Sequence, residues 1–229
     1  ITIKVIYKVV DVRFIMHITV TKLISIQKEI QEKNYKTKII VVSKTHTIEK
    51  IIPLIDHGHK DFGENKIQEA LQKWTSIKKD FTDINLHMIG KIQSNKVKFI
   101  LPLFDYVHSL DNTKLAEKIS EAQKKYKKKI KLFIQVNIGS EEQKSGISPN
   151  DIEVFKNKCV DELNLNIIGL MCLPPKNKEA SVYFREMNLL LKKINLKELS
   201  MGMSSDYLSA IEYNSTFVRV GTKIFGNRS

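Results

Sequence analysis

The chain alternates short apolar runs with longer stretches in which apolar residues recur every three or four positions. The short runs are typical of buried strands and the longer spacing is typical of amphipathic helices. The runs predict strands at 38–43, 61–63, 86–89, 106–108, 130–136, 167–171, 199–202 and 217–220. The intervening stretches predict helices at 48–57, 66–77, 94–101, 111–128, 149–163, 180–194 and 206–213. One more helix is predicted ahead of the first strand, at 22–33.

This alternation predicts an α/β fold with a parallel sheet, and eight units in one domain predict a single (β/α)8 TIM barrel. An open doubly wound sheet is the alternative, and such sheets usually carry a glycine-rich loop after the first strand. The first strand here runs into Ser43-Lys44-Thr45-His46, which contains no glycine. The barrel, with its extra N-terminal helix, is therefore expected at 18–229. Residues 1–17 form a leader to which the pattern assigns no role.

Composition narrows the class of protein. The 229 residues are 42% hydrophobic and 28% charged, as in ordinary globular domains. Four charged residues interrupt the apolar leader, namely Lys4, Lys8, Asp11 and Arg13, so no membrane span is expected. The two cysteines, Cys159 and Cys172, lack ligand-like spacing, which favours a reduced, cytoplasmic protein. The His57-x-His59 pair has no third ligand nearby, so no metal site is predicted.

A net charge of +13 raises nucleic-acid binding as a competing function. The lysines are scattered along the chain, however, and the densest run, at 124–129, lies at the end of a predicted helix, where cations oppose the helix dipole. The sequence contains no recognised nucleic-acid motif. We therefore expect no specific nucleic-acid partner.

Active sites of these barrels lie at the carboxyl ends of the strands, where Lys44 follows the apolar run of the first strand. Its amine can form an imine with an aldehyde, although a solvated lysine at a strand exit is the alternative. Ser204, Gly221 and Thr222 follow the last two strands and suit either a phosphate or simple turns. Arg219, inside an apolar strand, needs a ligand or an ion pair, for example with Glu64.

Eight short segments stand out along about 21–228. They are VVSKT at 41–45, DFGEN at 61–65 with Gln68 and Glu69, HMIG at 87–90 with QSNK at 93–96, QVN at 135–137, KSG at 144–146, GLM at 169–171, LSMGMS at 199–204 and VRVGTKIFG at 218–226. In this order they resemble the segments of the pyridoxal phosphate homeostasis proteins, relatives of the barrel half of bacterial alanine racemases.

The resemblance implies a role for each matched position. Lys44 resembles the lysine that holds pyridoxal 5′-phosphate as a Schiff base, and Ser204, Gly221 and Thr222 resemble its phosphate ligands. Arg219 resembles the arginine that contacts the pyridine nitrogen. Because an arginine only donates hydrogen bonds, it leaves this nitrogen unprotonated and weakens the ring as an electron sink. The resemblance also places Asn65, His87 and Met203 beside the cofactor.

The function that the resemblance implies is intracellular homeostasis of pyridoxal phosphate, by buffering the cofactor and delivering it to apo-enzymes. A weak racemase or transaminase using the same lysine is the alternative. A two-base racemase needs a second base, and the sequence offers only His87 and Tyr207 as candidates. The racemases' further β-domain has no counterpart in this sequence. We therefore expect a binding protein rather than an enzyme, and a monomer.

Overall fold

A computed structural model describes residues 16–33, 35–141 and 143–227. The leader predicted at 1–17 thus lies almost wholly outside the described residues. Eight strands follow one another along the chain: β1 (Lys38–Val42), β2 (Asp61–Glu64), β3 (Asn85–Met88), β4 (Tyr106–Leu110), β5 (Lys131–Val136), β6 (Asn166–Cys172), β7 (Glu198–Met203) and β8 (Phe217–Val220). Each falls within two residues of its predicted bounds.

Helices precede, connect and follow the strands. They are α1 (Ile18–Glu32), α2 (Ile48–Asp56), α3 (Ile67–Asp80), α4 (Ile100–Leu103), α5 (Thr113–Tyr126), α6 (Ile152–Asn157), α7 (Ala180–Lys193), α8 (Tyr207–Glu212) and α9 (Thr222–Phe225). A 3₁₀ helix (Ser94–Phe99) leads into α4, and a π-helix (Lys158–Glu162) extends α6. The short helix α9 was not predicted from the sequence.

The strands close into a barrel in sequence order, with parallel pairing throughout. The closing pair is β1 with β8, in which Ile40 lies opposite Arg219 and Val41 opposite Val220. The (β/α)8 barrel is therefore confirmed. This closure brings Lys44, after β1, to the same edge of the sheet as Gly221, after β8.

Two apolar clusters stabilise the barrel. The larger fills the layer between strands and helices and includes Trp74, which is fully buried. The smaller consists of Ile40, Tyr106, Phe133, Met171 and Phe217, which come from five different strands. Barrel interiors are usually filled by branched aliphatic residues in layers. This interior holds aromatic rings instead, together with the buried polar side chains of His87, His108, Ser200 and Arg219.

Some helix boundaries differ from the sequence prediction for local reasons. The helix predicted to begin at residue 111 begins at Thr113 instead, because the side chain of Asn112 caps it by accepting the N–H of Leu115 at 2.9 Å. The predicted helix at 94–101 is a 3₁₀ helix followed by the single turn of α4. Pro102 in that turn has no N–H to donate to the carbonyl of Lys98, which accepts from the Tyr126 hydroxyl instead.

The β7–β8 pair contains a bulge near the carboxyl end of the barrel. Ser200 lies opposite Phe217 and Met203 opposite Arg219, so three steps along β7 face two along β8. Gly202, within this bulge, has a φ of 88°, a value that glycine adopts without steric cost. The bulge places Ser200 inside the barrel while Met203 and Ser204 line a cavity at the carboxyl ends of the strands.

Candidate active-site cavity

A cavity of about 400 Å³ opens at the carboxyl ends of β1 and β8. Its lining contains one amine, one guanidinium, one amide and several hydroxyls, set among apolar side chains. The lining residues are Val42, Lys44, Asn65, Ile89, Leu173, Met203, Ser204, Ser205, Arg219, Gly221 and Thr222. Seven of the eight residues predicted for the site are therefore brought together.

Lys44 occupies a tight turn that the end of β1 and helix α3 hold in place. The N–H of Ser43 donates to the carbonyl of Gly63 on β2, which continues the pairing of the two strands. Thr45 then adopts a left-handed backbone with a φ of 64° and donates its N–H to Glu69 Oε1 at 2.5 Å. Since Glu69 belongs to α3, this helix fixes the direction in which the chain leaves Lys44.

A buried ion-pair network supports the same turn from behind. Lys73 Nζ lies 2.9 Å from Glu64 Oε1 and 3.0 Å from Glu69 Oε1, and it also donates to the carbonyl of Ser43. Glu64 Oε1 further accepts from the Ser43 hydroxyl and from the indole N–H of Trp74. Burial alone would raise the pKa of Glu69, but the Thr45 N–H and Lys73 outweigh it and lower that pKa. The carboxylate form is therefore favoured.

Arg219 forms part of the cavity wall, although only 5% of its surface is exposed. Its Nη1 donates to the carbonyl and the hydroxyl of Ser200, both at 2.7 Å, and its Nη2 donates to the carbonyl of Cys172 at 2.9 Å. The sequence suggested an ion pair with Glu64 as one possibility. Glu64 is engaged by Lys73 instead, and Arg219 forms no carboxylate ion pair within the described part of the chain.

The loops after β7 and β8 meet around one hydroxyl. Ser204 Oγ accepts the N–H of Gly221 at 3.2 Å and that of Lys223 at 3.4 Å. The ring of His46, two residues beyond Lys44, stacks on Phe225 of α9 with centroids 4.3 Å apart. The turn that carries Lys44 is thus packed against the loop that follows β8.

Asn65 enters the cavity from the end of β2, where a close backbone contact holds it. A Cβ on Gly90 would lie 2.2 Å from the carbonyl oxygen of Asn65, so only glycine fits beside it. The Oδ1 atom of Asn65 is buried and has no hydrogen-bond partner within the described residues. Such an unsatisfied acceptor is costly and is typical of a position that a ligand or water completes.

Comparisons with known proteins show the family to which this chain belongs. The family model for the N-terminal domain of alanine racemase matches residues 23–229. The pyridoxal phosphate homeostasis protein of Pasteurella multocida is 35% identical over 201 residues, which cover 83% of this chain and 86% of the relative. That of Aquifex aeolicus is 36% identical over 200 residues, which cover 83% and 87%. The chain belongs to the pyridoxal phosphate homeostasis protein family.

Solved structures of the family share the whole barrel. PipY of Synechococcus elongatus without pyridoxal phosphate aligns at a TM-score of 0.85 and 31% identity, over 92% of this chain and all of PipY. PipY with pyridoxal phosphate bound aligns at 0.81 and 30%, over 91% and all of PipY. An alanine racemase of Clostridium difficile aligns at 0.71 and 14%, over 92% of this chain and 57% of the racemase, so it shares the fold.

His87 and Tyr207 do not line the cavity. His87, which the resemblance places beside the cofactor, is fully buried in the barrel interior and binds Asp61 and His108. Tyr207, the other candidate second base, is also buried and is bonded to Glu29 and to Lys223 Nζ. The Tyr207 hydroxyl therefore forms its hydrogen bonds outside the cavity.

Four lining residues were not predicted from the sequence: Val42, Ile89, Leu173 and Ser205. Val42 and Ile89 could have been predicted from the sequence, because they stand at the ends of apolar strands just before the turns. Leu173 and Ser205 follow strand ends in the same way but have no distinctive chemistry. Leu173 and Met203 are 40% and 39% exposed and flank the mouth of the cavity.

The described residues offer no support for a metal site, a membrane-spanning helix or a reactive cysteine next to the cavity. They contain no group of three or more His, Cys, Asp or Glu side chains placed to hold a metal ion. No helix formed by 16–33, 35–141 or 143–227 is both long and apolar enough to cross a membrane. Burial raises the pKa of Cys172 to about 12, so its thiol next to the cavity stays protonated.

Proposed function

We propose that this protein binds pyridoxal 5′-phosphate in the cavity through a Schiff base on Lys44, and that it buffers and delivers the cofactor. The observation that carries the proposal is the composition of the cavity wall. Lys44 and Arg219 are its two cations among the described residues, and the hydroxyls of Ser204 and Thr222 lie in the same wall. The amine can react with the aldehyde of pyridoxal phosphate, the fixed cation can donate to its ring nitrogen, and the hydroxyls can bind its phosphate.

The residues present fit the cofactor on two further points. Ser204 Oγ accepts hydrogen bonds from two backbone N–H groups, those of Gly221 and Lys223, at the edge where β7 and β8 end. N–H groups converging at such a loop suit a phosphate. The unsatisfied Oδ1 of Asn65 offers an acceptor to a polar group of the ligand.

Bound pyridoxal phosphate supplies an electrophilic aldehyde and an electron-withdrawing ring. The amine of Lys44 would hold the aldehyde carbon, with loss of water, and Ser204, Gly221 and Thr222 would hold the phosphate. Arg219 would donate to the pyridine nitrogen, which keeps that nitrogen unprotonated because guanidinium has no acceptor. Met203, half-exposed at the mouth, would cover the ring.

The same geometry favours binding over turnover. Racemisation needs a proton donor or acceptor on each face of the substrate. Lys44 is the one side-chain base in the described cavity wall, since His87 and Tyr207 lie elsewhere. A weak racemase or transaminase activity remains the second candidate function, motivated by the shared racemase fold.

Delivery, location and assembly are part of the proposal. The apolar lip formed by Leu173 and Met203 is partly exposed, so a bound cofactor can leave without unfolding of the barrel. We propose transfer to apo-enzymes in the cytoplasm by a monomer. Two free, buried cysteines are in keeping with a reducing compartment.

Absorbance titration with pyridoxal phosphate tests the proposal. The wild type is expected to develop a visible band that Lys44→Ala abolishes, while Lys50→Ala, at an exposed position on α2, retains it. Regained activity of an apo-transaminase mixed with loaded protein tests delivery. A folded wild type without the band would overturn the proposal, and turnover of D- or L-amino acids would favour the enzyme instead.

A further inference from the structure

A chain of hydrogen bonds runs through the barrel interior from Asp61, at the start of β2, to Arg219. Asp61 Oδ1 lies 3.0 Å from His87 Nε2, and His87 Nδ1 lies 2.9 Å from His108 Nε2. His108 Nδ1 lies 2.9 Å from Ser200 Oγ, which accepts from Arg219 Nη1 at 2.7 Å. Four side chains therefore connect the amino-terminal end of the barrel to the wall of the cavity.

The order of donors along this chain follows from its two ends. Guanidinium only donates, so Ser200 Oγ accepts from Arg219 and its single hydrogen is left for His108 Nδ1. His108 must then carry its proton on Nε2 and donate to His87 Nδ1. His87 likewise carries its proton on Nε2 and donates to the Asp61 carboxylate. In this order each of the four contacts holds one hydrogen and both rings are neutral.

Arrangements that compete with this one and still satisfy every contact require an extra proton, on Asp61 or on His87. If His87 were an imidazolium, it would donate to both Asp61 and His108, and His108 would donate from Nδ1 to Ser200. Both rings are fully buried, and burial is the largest cause that lowers the pKa of each. Desolvation of a charged ring therefore disfavours this arrangement.

Aromatic packing holds the two rings in place. His87 stacks on Tyr106 and His108 on Phe133, each with centroids 4.2 Å apart. The charged or titratable groups that face the two rings are Asp61, Asp105, Lys38, His59, Tyr106 and Arg219. Asp61 and Asp105 favour a proton on His87, while Lys38 opposes it, as Arg219 does on His108.

We propose that Asp61, His87, His108 and Ser200 are positioning residues that fix the Arg219 guanidinium at the cofactor cavity, with both histidines held as neutral Nε2–H tautomers. Arg219 is a buried cation without a carboxylate ion pair in the described structure. In the row of hydrogen bonds from Asp61 to Arg219, each side chain turns its acceptor atom towards Arg219. These side chains and two backbone carbonyls therefore compensate the positive charge of the guanidinium. This inference rests on the proposed function, because it concerns the orientation of Arg219 towards pyridoxal phosphate.

Imidazole ¹⁵N NMR of the protein without cofactor tests the chain directly. The His87 and His108 signals, assigned by their loss in His87→Gln and His108→Gln, are expected to show Nε2–H tautomers unchanged between about pH 6 and 8. An Nδ1–H tautomer on either ring, or a protonated His87 in this range, would overturn the proposed order. No cofactor and no activity enter this measurement.

Cofactor binding then tests the role towards Arg219. Ser200→Ala removes one hydrogen bond to a charged group, so its Kd for pyridoxal phosphate is expected to rise about tenfold, with a shifted absorbance maximum. Ser200→Thr keeps the hydroxyl and is expected to restore both. Tyr106→Phe, which keeps the ring stacked on His87, is the matched control, and thermal unfolding verifies each fold.

The outcomes separate the two proposals. Folded Ser200→Ala with wild-type affinity and spectrum would overturn the positioning role even if the tautomers are as expected. A wild type that binds no pyridoxal phosphate would instead overturn the proposed function and, with it, the role of the chain towards the cofactor. The tautomers would still decide whether the hydrogen-bond order is correct.

Discussion

Glu64 and Arg219 are buried charges that the barrel compensates in opposite ways. Glu64 Oε1 meets Lys73 Nζ, a hydroxyl and an indole N–H, so a cation neutralises it. Arg219 meets two carbonyls and a hydroxyl, which are dipoles rather than charges. Because dipoles compensate a cation without neutralising it, Arg219 keeps its positive charge beside the cavity.

Glu69→Gln is expected to weaken pyridoxal phosphate binding about fivefold, the effect of losing one partly exposed ion pair. The substitution removes the charge that holds Lys73 and the Thr45 N–H, so the turn carrying Lys44 loosens. Absorbance titration measures the change. Glu121→Gln, which breaks an exposed pair with Lys118, is the control. Equal affinities for both variants would show that the turn does not depend on Glu69.

Residue chemistry and strand order together predicted most of this cavity. Lys44 was predictable because it follows an apolar run, and Gly221 because it follows the last strand. The support of the turn by Glu69 and Lys73 was not predictable, since it depends on how helix α3 packs behind β1. The position of His87 depends on which face of β3 points inward. A strand of four residues gives too short an alternation to decide that from sequence.

At the scale of elements, the bulge between β7 and β8 sets the shape of the site. It lets Ser200 point into the barrel towards Arg219 while Ser204 reaches the N–H of Gly221. Strand positions followed from apolar runs, but the bulge did not, because it is a mismatch between two strands rather than a property of one. Helix α9 escaped prediction because a single turn has no periodicity to detect.

Gly202→Ala is expected to destabilise the protein by about 2 kcal/mol more than Gly58→Ala. Both glycines have positive φ, near 90°, and alanine costs about 1 kcal/mol in that conformation. A Cβ on Gly202 would also lie 2.6 Å from the Cβ of Ala210, whereas one on Gly58 meets nothing within 4 Å. Urea denaturation of the two variants gives the difference, and equal losses would mean that the bulge absorbs the added methyl group.

At the scale of the whole molecule, the fully buried His87 and His108 and the partly buried His59 couple stability to pH. Burial lowers the pKa of His59, His87 and His108 below the ordinary 6.5. Below pH 6.5 the unfolded chain therefore binds protons that the folded protein does not, so the free energy of unfolding falls as pH falls. Each histidine contributes a slope of up to about 1.4 kcal/mol per pH unit below pH 6.5.

Chemical denaturation between pH 5 and 7.5 measures this slope. His108→Gln is expected to flatten it by up to about 1.4 kcal/mol per pH unit below pH 6.5, since glutamine does not titrate. The variant is also less stable at pH 7.5, so the comparison concerns slopes and not absolute values. A variant with the wild-type slope would show that His108 takes up no extra proton on unfolding.

The pairing of β1 with β8 has a consequence for synthesis of the protein. Lys44 follows β1 and Gly221 follows β8, and the parallel pairing of these two strands joins residues far apart in the sequence to close the sheet. A nascent chain on the ribosome has made Lys44 long before it makes the strand that completes the pocket. If the proposed function is correct, the cavity can bind the cofactor aldehyde only after translation has passed β8, so cofactor binding would mark a closed barrel.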